Sequence, residues 1–170
     1  MAQLHAFPSA GVAVTELPPA ARFSLRLSSA NIEAANRALG LSLPEKVGGV
    51  ASGGSLRALC LGPDEWLLES ERASQPALPA TLPHALVDIS DREIVFRIEG
   101  PRAMELLSIG IARDLRRLGV GQGCRTAFDS AQTILIRESA AVFTLSVWRS
   151  FASHVVELLQ IGQREFSTGY

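Results

Sequence analysis

Three histidines, His5, His84 and His154, are the first side chains to weigh as metal ligands or proton carriers. None stands at ligand spacing from another His, a Cys or an acid, so no metal site is expected. Cys60 and Cys124 lie far apart without a Cys-x-x-Cys pattern, and both read as small hydrophobes buried in strands. Ser52 and Ser55 flank Gly53-Gly54 but lack the strand, elbow and helix that expose a nucleophilic serine. Asp88, Asp91, Glu93 and Glu99 cluster about one strand. Paired carboxylates do acid–base chemistry when one is desolvated. Here Glu93 and Glu99 are expected to be solvated, and Asp88 to satisfy backbone N–H groups. Gly119-Val120-Gly121-Gln122-Gly123 precedes a strand instead of opening a helix, unlike a phosphate loop. Arg102, Arg113, Arg116, Arg117 and Arg125 form a basic concentration suited to carboxylates, phosphates or a protein interface. Stacking aromatics are not interleaved with them, so nucleic acid is not the expected partner. Trp66 and Trp148 border strands, where core or interface packing explains them. The candidate interface set is therefore Arg102, Arg113, Arg116, Arg117, Arg125 and Trp66. No residue is expected to be catalytic, cofactor-binding or metal-ligating.

The elements that must position these residues centre on Val87–Leu107. Ile94, Phe96 and Ile98 alternate with Val95, Arg97 and Glu99, the period of a strand with one buried face. Gly100 permits a turn, Pro101 suits a first helical position, and Ala103, Met104, Leu106 and Leu107 form a helical stripe ended near Gly110. Upstream, Pro- and Ala-rich residues 1–20 read as a surface arm. Phe23, Leu25 and Leu27 mark a strand; Ser28 or Ser29 is placed to cap a helix that Gly40 ends. Gly48-Gly49 and Gly53-Gly54 bracket an expected loop. Leu56–Leu61 and Glu65–Glu69 read as a hairpin around Gly62-Pro63-Asp64. Pro76, Pro79 and Pro83 mark residues 71–84 as a linker. Strands follow at Cys124–Phe128, Thr133–Arg137 and Val142–Trp148. A last helix, capped by Ser150, would bury Phe151, Val155, Leu158 and Leu159, with residues 162–170 fraying.

Each half then reads strand, helix, strand, turn, strand, and the second adds a closing helix. The expectation is an α+β fold, one domain over 21–170 in two halves, 21–70 and 85–162, with helices packed on antiparallel or mixed sheets. The chain has 170 residues, 47% hydrophobic and 19% charged, with a formal net charge of -1. That length allows a sizeable core, and that charge gives no global basic field for nucleic acid. No signal peptide and no membrane span is legible, so the cytoplasm is the expected compartment.

Several segments, in this order, resemble the gamma subunit of heterotetrameric sarcosine oxidase. They are Leu61-Gly62-Pro63-Asp64-Glu65-Trp66-Leu67-Leu68, Val87-Asp88-Ile89-Ser90-Asp91-Arg92 and Gly100-Pro101-Arg102-Ala103, then Arg113-Asp114-Leu115, Gly123-Cys124-Arg125-Thr126 and Arg149-Ser150-Phe151-Ala152. That family is in turn similar to the folate-binding domain of aminomethyltransferases, matched at Asp88-Ile89-Ser90, Gly100 and Asp114-Leu115. The transferases carry an essential aspartate pair where a hairpin strand returns; here Ala131-Gln132-Thr133-Ile134 stand there, without a carboxylate. The resemblance implies a non-catalytic accessory subunit. Its complex would oxidise sarcosine to glycine and hydrogen peroxide and pass the one-carbon unit to tetrahydrofolate. FAD, FMN, NAD and tetrahydrofolate would sit in other subunits, with none in this chain. The implied partner is the alpha subunit, and through it beta and delta. The competing reading is a stand-alone folate-binding or one-carbon-transfer protein of the aminomethyltransferase fold.

Overall fold

The computed structural model describes residues 11–71 and 75–168. It is α+β, with two five-stranded sheets in which every strand pairing is antiparallel. The chain divides into two compact units, Pro19–Ser90 and a discontinuous one made of Met1–Pro18 with Asp91–Tyr170.

In the continuous unit the alternating strand is β2 (Ala21–Leu27), and Phe23, Leu25 and Leu27 all enter the core. After a 3-10 turn at Ser29–Asn31 comes α1 (Ile32–Leu39), which buries Ile32 and Ala35. Neither Ser28 nor Asn31 caps through its side chain; Asn31 instead donates to the Pro83 carbonyl at 3.1 Å. Gly40 ends α1 at φ 63°, a conformation open to glycine. The Leu43 N–H then donates to Asn36 Oδ1 at 2.8 Å, and Leu41 and Leu43 join the core.

The expected glycine loop contains a short strand, β3 (Val50–Gly53), paired with β4 (Leu56–Gly62). β4 and β5 (Glu65–Ser70) form the expected hairpin, with a register shift between Cys60 and Gly62. β6 (His84–Asp88) pairs with β2, giving the order β3-β4-β5-β2-β6. The stretch 71–84 therefore lies inside one unit and does not join two halves. The alternation of β2 did not show that its second neighbour arrives from beyond the prolines; residues 72–74 lie outside the described set.

The discontinuous unit begins at β1 (Ala13–Glu16), which pairs with β7 (Glu93–Glu99) from Ala13↔Glu99 to Glu16↔Phe96. This part of the expected arm is a sheet strand; the first ten residues lie outside the described set. The remaining strands are β8 (Gln122–Phe128), β9 (Ala131–Ser139) and β10 (Val142–Trp148), in the order β1-β7-β10-β9-β8. Two helices, α2 (Ala103–Ser108) and α3 (Ala152–Thr168), pack on this sheet. Their Leu106, Leu107, Val155 and Leu159 share a core with Phe96, Ile98, Phe128, Phe143 and Leu145.

Gly100 adopts φ 130° at the β7–α2 turn, and a Cβ there would overlap the Gly11 carbonyl. α3 does not fray at Gly162 as expected. A Cβ at Gly162 would lie 2.7 Å from Leu106 Cδ1, so the helices close on a glycine. Gln163 is buried and donates to the Val12 carbonyl at 3.2 Å, which ties the last turns of α3 to β1's entry.

Candidate partner interface

The six candidate interface residues do not form one surface. Trp66 is 1% exposed, packed in the core of the continuous unit with its indole N–H donating to the Pro44 carbonyl at 2.8 Å. An indole with both its faces and its donor satisfied inside its own unit offers nothing to a partner. The other five lie in the discontinuous unit. Arg102 stands at the start of α2, without capping it through its side chain, and is spent locally. Its guanidinium binds Glu105 at 2.7 Å and lies 3.5 Å from the Phe166 ring centroid. The hydrogen bonds from Arg102 hold the Glu105 carboxyl below its usual range.

Arg113, Arg116 and Arg117 stand on the exposed loop between α2 and β8. Ile111, Leu115 and Leu118 alternate with them and enter the core, pinning the loop. Asp114 caps the 3-10 turn at Leu115–Arg117: its carboxylate accepts from the Arg116 N–H at 3.1 Å and from Arg116 Nε at 2.9 Å. Those hydrogen bonds, chiefly the side-chain ones, keep the Asp114 carboxyl below its ordinary range. Arg113 lies against Cys124, whose thiol is pushed up by burial, with Arg113 pulling the opposite way. Cys124 faces the core, and strand alternation sends its neighbour Arg125 to the opposite face of β8. The loop thus presents Arg113, Arg116 and Arg117, while Arg102 is engaged by Glu105 and Phe166.

The acidic cluster resolves as structural. Asp88 Oδ1 accepts from the Ser90 N–H at 2.9 Å and the Ser90 hydroxyl at 2.6 Å, and these bonds lower its pKa. Glu93 departs from the expected solvation: its side chain is 4% exposed, 3.3 Å from Arg92 Nη2. Among the described residues, no group of three or more His, Cys, Asp or Glu is placed to hold a metal.

Two arrangements escaped sequence reasoning. His154 Nε2 lies 2.9 Å from Asp129 Oδ2, joining α3 to the β8–β9 turn, where Asp129 takes φ 52°. At the end of β10, Trp148 and Phe151 are exposed, with Arg92 stacked 5.9 Å from the Trp148 centroid. Phe151 was expected on the buried face of the last helix. It falls instead in a 3-10 turn, Arg149–Phe151, which breaks the α-helical phase that would have turned it inward.

The sequence profile of the family described as "Sarcosine oxidase, gamma subunit family" matches residues 28–165. The chain belongs to this family. Among solved structures, a chain of the heterotetrameric sarcosine oxidase from Corynebacterium sp. U-96, in complex with pyrrole 2-carboxylate, is similar with a TM-score of 0.84. The two share 29% identity over 95% of this chain and 88% of that one. The glycine cleavage system aminomethyltransferase T of Bartonella henselae shares the fold with a TM-score of 0.68. Its identity is 13%, over 89% of this chain and 46% of that one. No curated protein matches the chain.

In this gamma-subunit-family chain the segments carrying the resemblance land on turns and element junctions. Leu61–Leu68 is the β4–β5 hairpin, Val87–Arg92 leads from β6 to β7, Gly100–Ala103 opens α2, and Arg149–Ala152 opens α3. The β8–β9 hairpin turns at Asp129-Ser130 and returns at Ala131 and Gln132.

Proposed function

We propose that this chain is a non-catalytic accessory subunit of a sarcosine oxidase complex. That complex demethylates sarcosine oxidatively to glycine and hydrogen peroxide and delivers the one-carbon unit to tetrahydrofolate. The family match across residues 28–165 carries the reading, supported by the likeness, over 95% of this chain and 88% of that one, to a chain of a heterotetrameric sarcosine oxidase. FAD, FMN, NAD and tetrahydrofolate belong to the other subunits. The partner is the alpha subunit, and beta and delta are reached through it. The complex works in the cytoplasm; no helix among the described residues is long and apolar enough to cross a membrane. The exposed Arg113, Arg116 and Arg117 loop serves as a charged contact, which acts mainly on encounter rate and register.

The stand-alone folate reading finds less support. Ala131 and Gln132 offer no carboxylate at the strand return, and the Asp88 carboxylate is engaged by Ser90. The test is capture of the tagged chain from its own cell lysate, with partners identified by mass. Recovery of two large flavoprotein chains and one further small chain is expected. Recovery of none, together with tight tetrahydrofolate binding by the chain alone, would reverse the order of the two readings.

A further inference from the structure

We infer that Trp148, Phe151 and Arg149, braced by Arg92, form the anchor through which this chain docks on another subunit of the oxidase complex. The inference rests on the accessory-subunit reading and gives it a location distinct from the arginine loop. Trp148 is 41% exposed and Phe151 39%, beside Phe143, Leu145, Val147, Ala152, Val155 and Val156, which are buried. The two exposed aromatics flank the 3-10 turn Arg149–Phe151, Trp148 closing β10 just before it and Phe151 ending it. The antiparallel β7–β10 pairing sets Trp148 opposite Glu93, which brings Asp91 and Arg92 to the same place. Arg92 lies over the indole at 5.9 Å while its Nη2 is held by Glu93.

Arg149 is fastened at two points. Its N–H donates to the Arg92 carbonyl at 2.9 Å, and its Nε donates to the Asp91 carbonyl, 58 positions away in sequence, at 3.0 Å. Its two terminal nitrogens have no partner among the described residues, so a fixed guanidinium presents two donors. Two exposed aromatics beside a pre-positioned arginine have the composition of an interface hot spot, and their fixed placement lowers the entropy lost on docking. The chemistry specifies the occupant: a subunit surface with an apolar recess for Trp148 and Phe151 and a carboxylate at its rim for Arg149, a bidentate match. A second copy fits less well. A two-fold contact through this patch would bring the Arg92 and Arg149 of one copy against those of the other.

The experiment measures the affinity of the full-length chain for the remaining assembled subunits of its own complex. Wild type is compared with a Trp148→Ala/Phe151→Ala double variant, with Arg149→Glu and with Arg149→Lys; thermal melting confirms that each variant folds. The double variant should bind about thirtyfold or more weakly, in the hot-spot range. Arg149→Glu should bind about tenfold or more weakly, and Arg149→Lys should keep part of the affinity. Hydrogen exchange on the wild-type complex should show new protection at residues 148–151. Unchanged affinity in the variants, or no such protection while wild type binds, would overturn the anchor and leave the accessory-subunit reading standing. Failure of wild type itself to bind would count against that underlying reading. A wild-type dimer that Trp148→Ala dissolves, with subunit binding intact, would assign the patch to self-association and overturn the proposal.

Discussion

At the residue scale, Asp114 and Trp66 show how a residue's role follows from the donors around it. The Asp114 carboxyl titrates below its unfolded value because Arg116 hydrogen-bonds its charged form. Its contribution to stability is therefore fully present above the unfolded carboxyl pKa of about 3.9 and is lost as pH falls through the lower folded value. Thermal melts of Asp114→Asn should show a flatter loss of stability than wild type below about pH 4, with the two curves parallel above that. Trp66 makes a second case. Trp66→Phe keeps most of the packing but leaves the Pro44 carbonyl without its donor, for a loss of about 1–3 kcal/mol. Trp66→Ala removes the ring as well and should lose about 3–5 kcal/mol in urea unfolding. An exposed Trp66 would instead show less than about 0.5 kcal/mol for either change. The type of Trp66 announced a large aromatic beside a hairpin turn; the burial of its ring needed Pro44 and the α1 loop to be folded over it.

At the element scale, close approach decides which glycines are irreplaceable. Gly162 lies in the middle of α3, where alanine ordinarily favours a helix by about 1 kcal/mol. Here an added Cβ would stand 2.7 Å from Leu106 Cδ1 and 2.9 Å from Ile109 Cδ1. Gly162→Ala should therefore destabilise, by about 1–3 kcal/mol, the range for overpacking. A rise in Tm would show that α2 and α3 can separate without loss. The sequence displays Gly162 as a helix breaker ahead of a polar tail, the basis for expecting fraying there. Only the packing of α2 against α3 turns the same residue into a contact point. The strands were more legible, because alternation in β2 and β7 reports directly on a half-buried sheet. Short β3 was not, since Val50-Ala51-Ser52-Gly53 has no alternation strong enough to outweigh its flanking glycines.

At the scale of the whole molecule, the chain lays down one strand of a sheet, builds the other unit entirely, and then returns to complete the first sheet. Residues 11–18 should thus behave as part of a fold. A chain beginning at Pro19 is expected to melt several degrees lower and to exchange the β7 amides faster than those of β9 and β10; unchanged β7 exchange would return β1 to the status of an arm. Alternation, helical spacing and turn residues, all local properties, determined by themselves that the chain is α+β, with helices after β2, after β7 and after β10 and a hairpin around Gly62-Pro63-Asp64. The order of short motifs pointed to the gamma-subunit family. The tertiary structure alone decided that Ala13–Glu16 belongs beside Glu93–Glu99, that Trp66 is core, and that Arg92 meets Trp148 and Arg149. Each of these is a pairing between residues distant in the chain, and periodicity reports which face a residue takes without reporting what it faces.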